Sequence, residues 1–262
     1  PLLVATLALT ACDFAPEPTT RAEEKPSALS APLRASSAEA AELYRVVETY
    51  FDQYLALNPV RASELGDHRF DDRFGDYVSM SWMADSLGIE QESLEKLATI
   101  DVKQLTGEDL VTYAAFKRQR ELGIGGYRYP SELLAINSFA NGPGVFAQLG
   151  SGKGAHPFRT TRDYDNFLAR MDGFVAWVDQ AINNLRAGVT KGVVLPQDVV
   201  ERTLPQLEAF GRLEDPRQTV FWQPLLNFPA GPSVDDRRRL LQAYDEKLRT
   251  KVLPAYRRLH DY

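Results

Sequence analysis

Apolar residues return at steps of three and four along most of the chain beyond residue 36, the spacing of one face of an α-helix. The clearest run is Tyr164, Leu168, Met171, Val175, Val178, Ile182 and Leu185, which predicts a helix over 162–187. At 1.5 Å per residue its 26 residues would span about 39 Å. A seam with this alternation packs against other helices at a shallow angle. Gly188 is the expected stop, because glycine readily takes the left-handed conformation that closes a helix.

Other stretches carry the same period. Ser36 to Glu39 fits a capping box ahead of Leu43, Val47, Tyr50 or Phe51, and Tyr54. Asn58-Pro59 ends that helix, since the residue before proline avoids helical backbone. Met83, Leu87, Leu94 and Leu97 predict a helix over 79–99, weakened in its middle by Gly88. Thr106 and Asp109 open a third, which runs to about Leu122 and stops at Gly123, Gly125 and Gly126. Val200, Leu204, Leu207 and Phe210 form the face of a helix opened by Pro196 and kinked by Pro205. Ser233 and Asp236 open the last, carrying Leu241, Tyr244, Leu248, Val252, Tyr256 and Leu259, with a bend at Pro254. That pattern still runs at Tyr262, so a partner portion of the fold is expected to follow. Segment 123–160 breaks the rhythm with eight glycines and three prolines. It is expected to be a long loop packed over a cleft, with brief strand pairing at most at 127–129 or 145–146. The fold class is all-α: an irregular multi-helix array over 37–262.

The first residues follow another rule. Pro1 to Ala11 is apolar but too short to span a bilayer, and has the length of a signal-peptide core. Leu9-Thr10-Ala11-Cys12 resembles the bacterial lipobox, in which the signal is cut before a cysteine that then receives lipid. Cys12 is therefore the expected lipidation site, and acyl chains on it would anchor the protein to a membrane. Without an initiator Met or basic residues ahead of the apolar run, the signal over 1–11 is read as truncated. Asp13 resembles an inner-membrane retention signal. Residues 12–36 hold Pro16, Pro18, Pro26 and Pro32 without apolar periodicity, as a flexible tether would. As a coil, the 24 residues after the cysteine would reach about 27 Å. The expected location is the bacterial envelope, facing the periplasm.

Charge and composition narrow the chemistry. The 262 residues carry a net charge of −6, which argues against nucleic acid. Arg237-Arg238-Arg239 follows Asp235 and Asp236 and reads as a solvated helix face. Cys12 is the single cysteine, so no disulfide forms within the chain. His68, His156 and His260 lie too far apart for a helical metal pair, and no His-Glu-x-x-His occurs. No Gly-x-Ser-x-Gly elbow is present. Gly150 to Gly154 has the look of a phosphate loop. However, Ala147 replaces its first glycine and Gly154 its magnesium-binding hydroxyl, so a turn is expected. His68 beside Asp67 could act as a general base, but Asp caps and Asp–Arg pairs are the expected use of 65–73. Arg159, Arg162 and Asp163 could hold a carboxylate, though capping is expected. No catalytic or metal-binding residue is assigned.

Four blocks, in order, resemble a known family. They are Asn58 to Arg73; His156-Pro157-Phe158 with Tyr164 to Arg170; Leu185-Arg186-Ala187-Gly188 through Gly192 to Pro196; and Val252-Leu253-Pro254-Ala255-Tyr256. Together they are similar to the bacterial family called "domain of unknown function 885", over roughly residues 40–262. The resemblance implies an exported lipoprotein about twice this length, of the helical zincin type. It implies zinc and a catalytic Glu in a second half, hydrolysing a peptide substrate. No cofactor ligand transfers to this sequence, which would be the N-terminal lobe and one wall of a substrate channel. The competing expectation is a non-catalytic helical envelope lipoprotein that binds a partner or scaffolds the envelope.

Overall fold

The structure, a computed structural model, describes residues 36–139 and 141–262. The expected signal, Cys12 and the tether up to residue 35 lie outside the described residues. The described residues are mainly helical, with no strand among them, so 127–129 and 145–146 do not pair.

The chain opens with α1 (Ala38–Leu57), capped by Ser37, whose hydroxyl accepts from the Ala40 amide. Ser36, the expected cap, instead donates to Asp109. Proline starts the next helix directly, α2 (Pro59–Glu64), where its missing N–H costs nothing. α3 (Met80–Leu97), within the expected 79–99, is capped by Ser79. α4 (Glu108–Gly126) starts one residue past the expected cap, at Gly107. The Asp109 amide bonds the Thr106 carbonyl, but its carboxylate does not reach back to cap because Tyr44 and Ser36 hold it. α4 also continues through its glycines, since α3 packs along it.

The segment expected to be a loop contains a helix, α5 (Gly142–Gly150), capped by Asn141. Its glycines are contact points rather than breaks. A Cβ on Gly142 would come within 2.7 Å of Trp177, and one on Gly150 within 2.4 Å of Phe221.

α6 (Thr161–Lys191) is the central helix, opened by a capping box of Thr160 and Asp163. It runs past Gly188 and ends at Gly192, whose φ of 70° is the left-handed closure. Gly188 is buried inside the helix, where a Cβ would meet the Val193 carbonyl oxygen at 2.5 Å. α7 (Gln197–Gly211) contains Pro205, and a short α8 (Gln223–Leu226) follows. α9 (Val234–Lys247) begins with the expected Ser233–Asp236 capping box. The last helix is continuous but not uniform. One wide π-turn, Leu248–Val252, separates α9 from α10 (Leu253–Asp261) just before Pro254.

These elements bury two apolar cores. The smaller joins α1, α3 and α4 through Leu43, Tyr50, Ile89, Leu97 and Phe116. The larger lies between α5, α6, α9 and α10. In it Phe146 stacks on Phe174 with ring centroids 4.1 Å apart. Three buried tyrosine hydroxyls find backbone acceptors there: Tyr164 on Pro224, Tyr244 on Tyr164, and Tyr256 on Pro143. The solvent edge of α6 offers Asp165, Asp172 and Asp179, seven residues apart, to Arg239, Lys247 with Lys251, and Arg258. Arg239 is thus held by α6, and Arg238 by Asp235. Arg237 reaches the carbonyls of Pro229 and Pro232.

Candidate functional site: a buried arginine node

Arg170 occupies the core-facing side of α6, between Phe167 and Phe174, and is 0 % exposed. A buried cation must be paired and have its N–H groups satisfied. Its Nε donates to the Arg73 carbonyl at 2.7 Å. One terminal nitrogen donates to His156 Nδ1 at 3.1 Å. The other is shared between Ser63 Oγ at 2.9 Å, the Phe70 carbonyl at 3.2 Å and Asp71 Oδ1 at 3.3 Å. Burial pulls the guanidinium pKa below its usual value, and Asp71 opposes that pull.

The partners are delivered by short elements. α2 presents Ser63. Gly66, with φ of 82°, then turns the chain into a 3-10 turn at His68–Phe70. Asp67 caps that turn and pairs with Arg69 at 2.7 Å. Capping and Asp–Arg pairing, the expected use of this stretch, are thus formed, and the alternative pairing of Asp67 with His68 is not. His68 Nδ1 lies 2.8 Å from Asp71 Oδ2 instead, three residues on, and its side chain is half-exposed. Asp71 is buried and also accepts from the Ser63 hydroxyl.

His156 completes the node from the other side. Its Nε2 bonds the Asp163 carbonyl at 3.0 Å. A carbonyl only accepts, so Nε2 carries the proton and Nδ1 is left to accept from Arg170. Burial, reinforced by the nearby guanidinium, pushes the His156 pKa down to about 4. At neutral pH the ring is uncharged, with both nitrogens engaged. Ser63 donates to the Asp71 carboxylate, whose charge is held by Arg170.

Two of the node's outer members, Ser63 and His156, line a cleft of about 430 Å³ that Arg170 and Asp71 do not reach. Ser63 and His68 line one side, and Gly152, Gly154 and Arg159 line the other. The glycine-rich segment is thus packed over a cleft, as its composition suggests. Gly150 to Gly154 is a turn that follows a helix, whereas a phosphate loop must precede one. Asp163 caps, accepting from the Arg159 and Thr160 amides. His260 is remote, beside Asp261. Among the described residues no cluster of three His, Cys, Asp or Glu could hold a metal ion. None of their helices is long and apolar enough to cross a membrane.

Sequence reading did not single out Ser63, Asp71 or Arg170 as one unit. The signal available was Arg170 itself, an arginine three residues after Phe167 and four before Phe174, on the face of an otherwise apolar seam.

The fold and node define an all-helical protein whose widely separated segments are clamped by one buried arginine. The chain belongs to the family described as bacterial protein of unknown function (DUF885), whose model matches residues 59–262. No curated protein matches it.

Proposed function

We propose that this chain is the scaffold and substrate-contacting lobe of an exported bacterial lipoprotein, anchored through Cys12. Peptide-bond hydrolysis by zinc-activated water would belong to the full-length protein. The observation that carries this reading is the Arg170 node. It ties the Asn58–Arg73 block to the His156–Arg170 block, so the stretches that bear the family resemblance build the frame rather than a reacting centre. Zinc does not fit the residues described, and no catalytic step is assigned to them.

The anchor is tested by feeding cells a radiolabelled fatty acid. Label should enter the protein and be lost in Cys12→Ser. Hydrolysis is tested by incubating the full-length gene product with a peptide library, with and without a chelator. Cleavage that the chelator stops supports the reading, and no cleavage with full metal loading overturns it.

A second reading, a non-catalytic helical envelope lipoprotein, is favoured by one observation. The two buried reactive groups at the node are committed: Ser63 to Asp71, and His156 to both neighbours. It predicts a full-length protein that melts cooperatively, binds no stoichiometric zinc and cleaves no peptide.

A further inference from the structure

A further cavity lies between α6 and the segment 72–79 that leads into α3. Its volume is about 440 Å³, within the range of small-molecule sites. Asp72, Arg73 and Asp76 bring polar groups to it from the segment, and Trp177 and Gln180 from α6.

Trp177 is 4 % exposed. Its ring packs against Phe74 and Phe174, and its benzene edge meets Gly142. The indole N–H is left over. It donates to no acceptor in the protein, yet it is not sealed from the surface, and it opens onto the cavity that Trp177 lines. A donor in that position needs an acceptor from outside the chain. Acceptors stand beside it with lone pairs to spare. Gln180 gives its amide nitrogen to Asn184 and keeps Oε1 free. Asp76 accepts from the Ser79 amide with Oδ1 and keeps Oδ2 free. At the mouth, Arg73 Nε and Asp72 Oδ1 lie 3.8 Å apart on exposed side chains. The segment is fixed before any ligand arrives, because the Arg73 carbonyl holds Arg170 and the Tyr77 oxygen holds the Val60 amide. Tyr77 keeps a φ of 55°, a conformation uncommon for a bulky residue.

We propose that this cavity binds a neutral, hydroxyl-rich ligand the size of one sugar ring. A hydroxyl both donates and accepts, which is what the mixed lining asks for. One hydroxyl accepts from the Trp177 N–H, and its neighbours on the ring donate to Gln180 Oε1 and Asp76 Oδ2. An anion suits the cavity poorly, since two carboxylates line it against one guanidinium. A cation has no use for the indole N–H, and no third metal-binding side chain joins the carboxylates. The inference goes beyond the proposed function and stands whether or not the full-length protein hydrolyses peptides.

The test is a nitrogen-15 NMR titration of the full chain with methyl glucoside, methyl galactoside and methyl mannoside. The three tryptophans give three indole N–H signals, and Trp177→Phe identifies its own by removing it. At least one glycoside should shift the Trp177 signal to saturation and leave those of Trp82 and Trp222 in place. Gln180→Ala should weaken that glycoside about fivefold, the worth of one hydrogen bond. Ala176 is exposed on α6 and lines the cavity, so Ala176→Phe should fill it, melt as the parent does and abolish the shift. No saturable shift with any of the three would mean a cavity holding only water and overturns the proposal. An equal shift with acetamide or sodium acetate, which marks an amide or an anion site, overturns it as well. So does binding that survives both Gln180→Ala and Ala176→Phe.

Discussion

Arg170 donates to His156 Nδ1 across 3.1 Å, so a permanent cation rests against a ring that is held unprotonated. The two residues are fourteen apart in sequence and belong to different structural segments. Neither can change its charge without disturbing the other.

That relationship sets a pH dependence. The unfolded chain protonates His156 near 6.5, and the folded chain only near 4. The unfolded state therefore binds more protons between these values, and stability falls as pH drops through that window. The loss is about 3 kcal/mol at most. Urea melts at pH 7.5, 5.5 and 4.5 should show this decline, and His156→Gln should flatten it.

Removing the guanidinium leaves Asp71 buried without its cation. Arg170→Met is expected to cost about 3–5 kcal/mol, the usual result of breaking a buried pair from one side. Arg170→Lys should cost nearly as much, because a single ammonium cannot replace a fork that serves five acceptors. Denaturant midpoints measure both.

His68 provides the contrast. Its half-exposed ring bonds Asp71 from the solvent side, so His68→Ala should change stability by about 1 kcal/mol or less. A loss comparable to that of Arg170→Met would place His68 inside the frame and contradict its position.

Two glycines in helices should answer oppositely to the same substitution. Gly150→Ala pushes a methyl into Phe221 and Phe167 and is expected to destabilise by about 1–3 kcal/mol. Gly88→Ala meets open space in the middle of α3 and should stabilise by about 0.5–1 kcal/mol. Thermal melts of the pair give the sign directly.

The helices were legible because their apolar residues repeat with helical spacing and their caps are local. Ser79, the Thr160–Asp163 box and the Ser233–Asp236 box all depend on residues within three positions. What escaped the sequence depends on distant neighbours. α5 looked like a loop because its glycines are explained only by Trp177, Phe167 and Phe221. Gly188 looked like a stop because the carbonyl it accommodates lies on Val193, beyond the turn. Asp109 looked like a cap because its partners, Ser36 and Tyr44, lie 73 and 65 residues away. The node was hidden for the same reason, since Ser63 and Arg170 stand 107 residues apart.

The π-turn at Leu248–Val252 explains a spacing that a uniform helix could not sustain. Leu240, Tyr244, Leu248, Val252 and Tyr256 are all 0 % exposed, at strict intervals of four. At about 100° per residue, each step of four overshoots a full circle by about 40°, so the row would wind round toward solvent. The wide turn unwinds part of that drift and brings Tyr256 back in phase with Tyr244, where it can reach Pro143. Deleting one residue within 248–252 would shorten the step from Tyr244 to Tyr256 to eleven, which at about 100° per residue is three turns and about 20°, so an ordinary α-helix would then keep the end of the chain on the larger core without the wide turn.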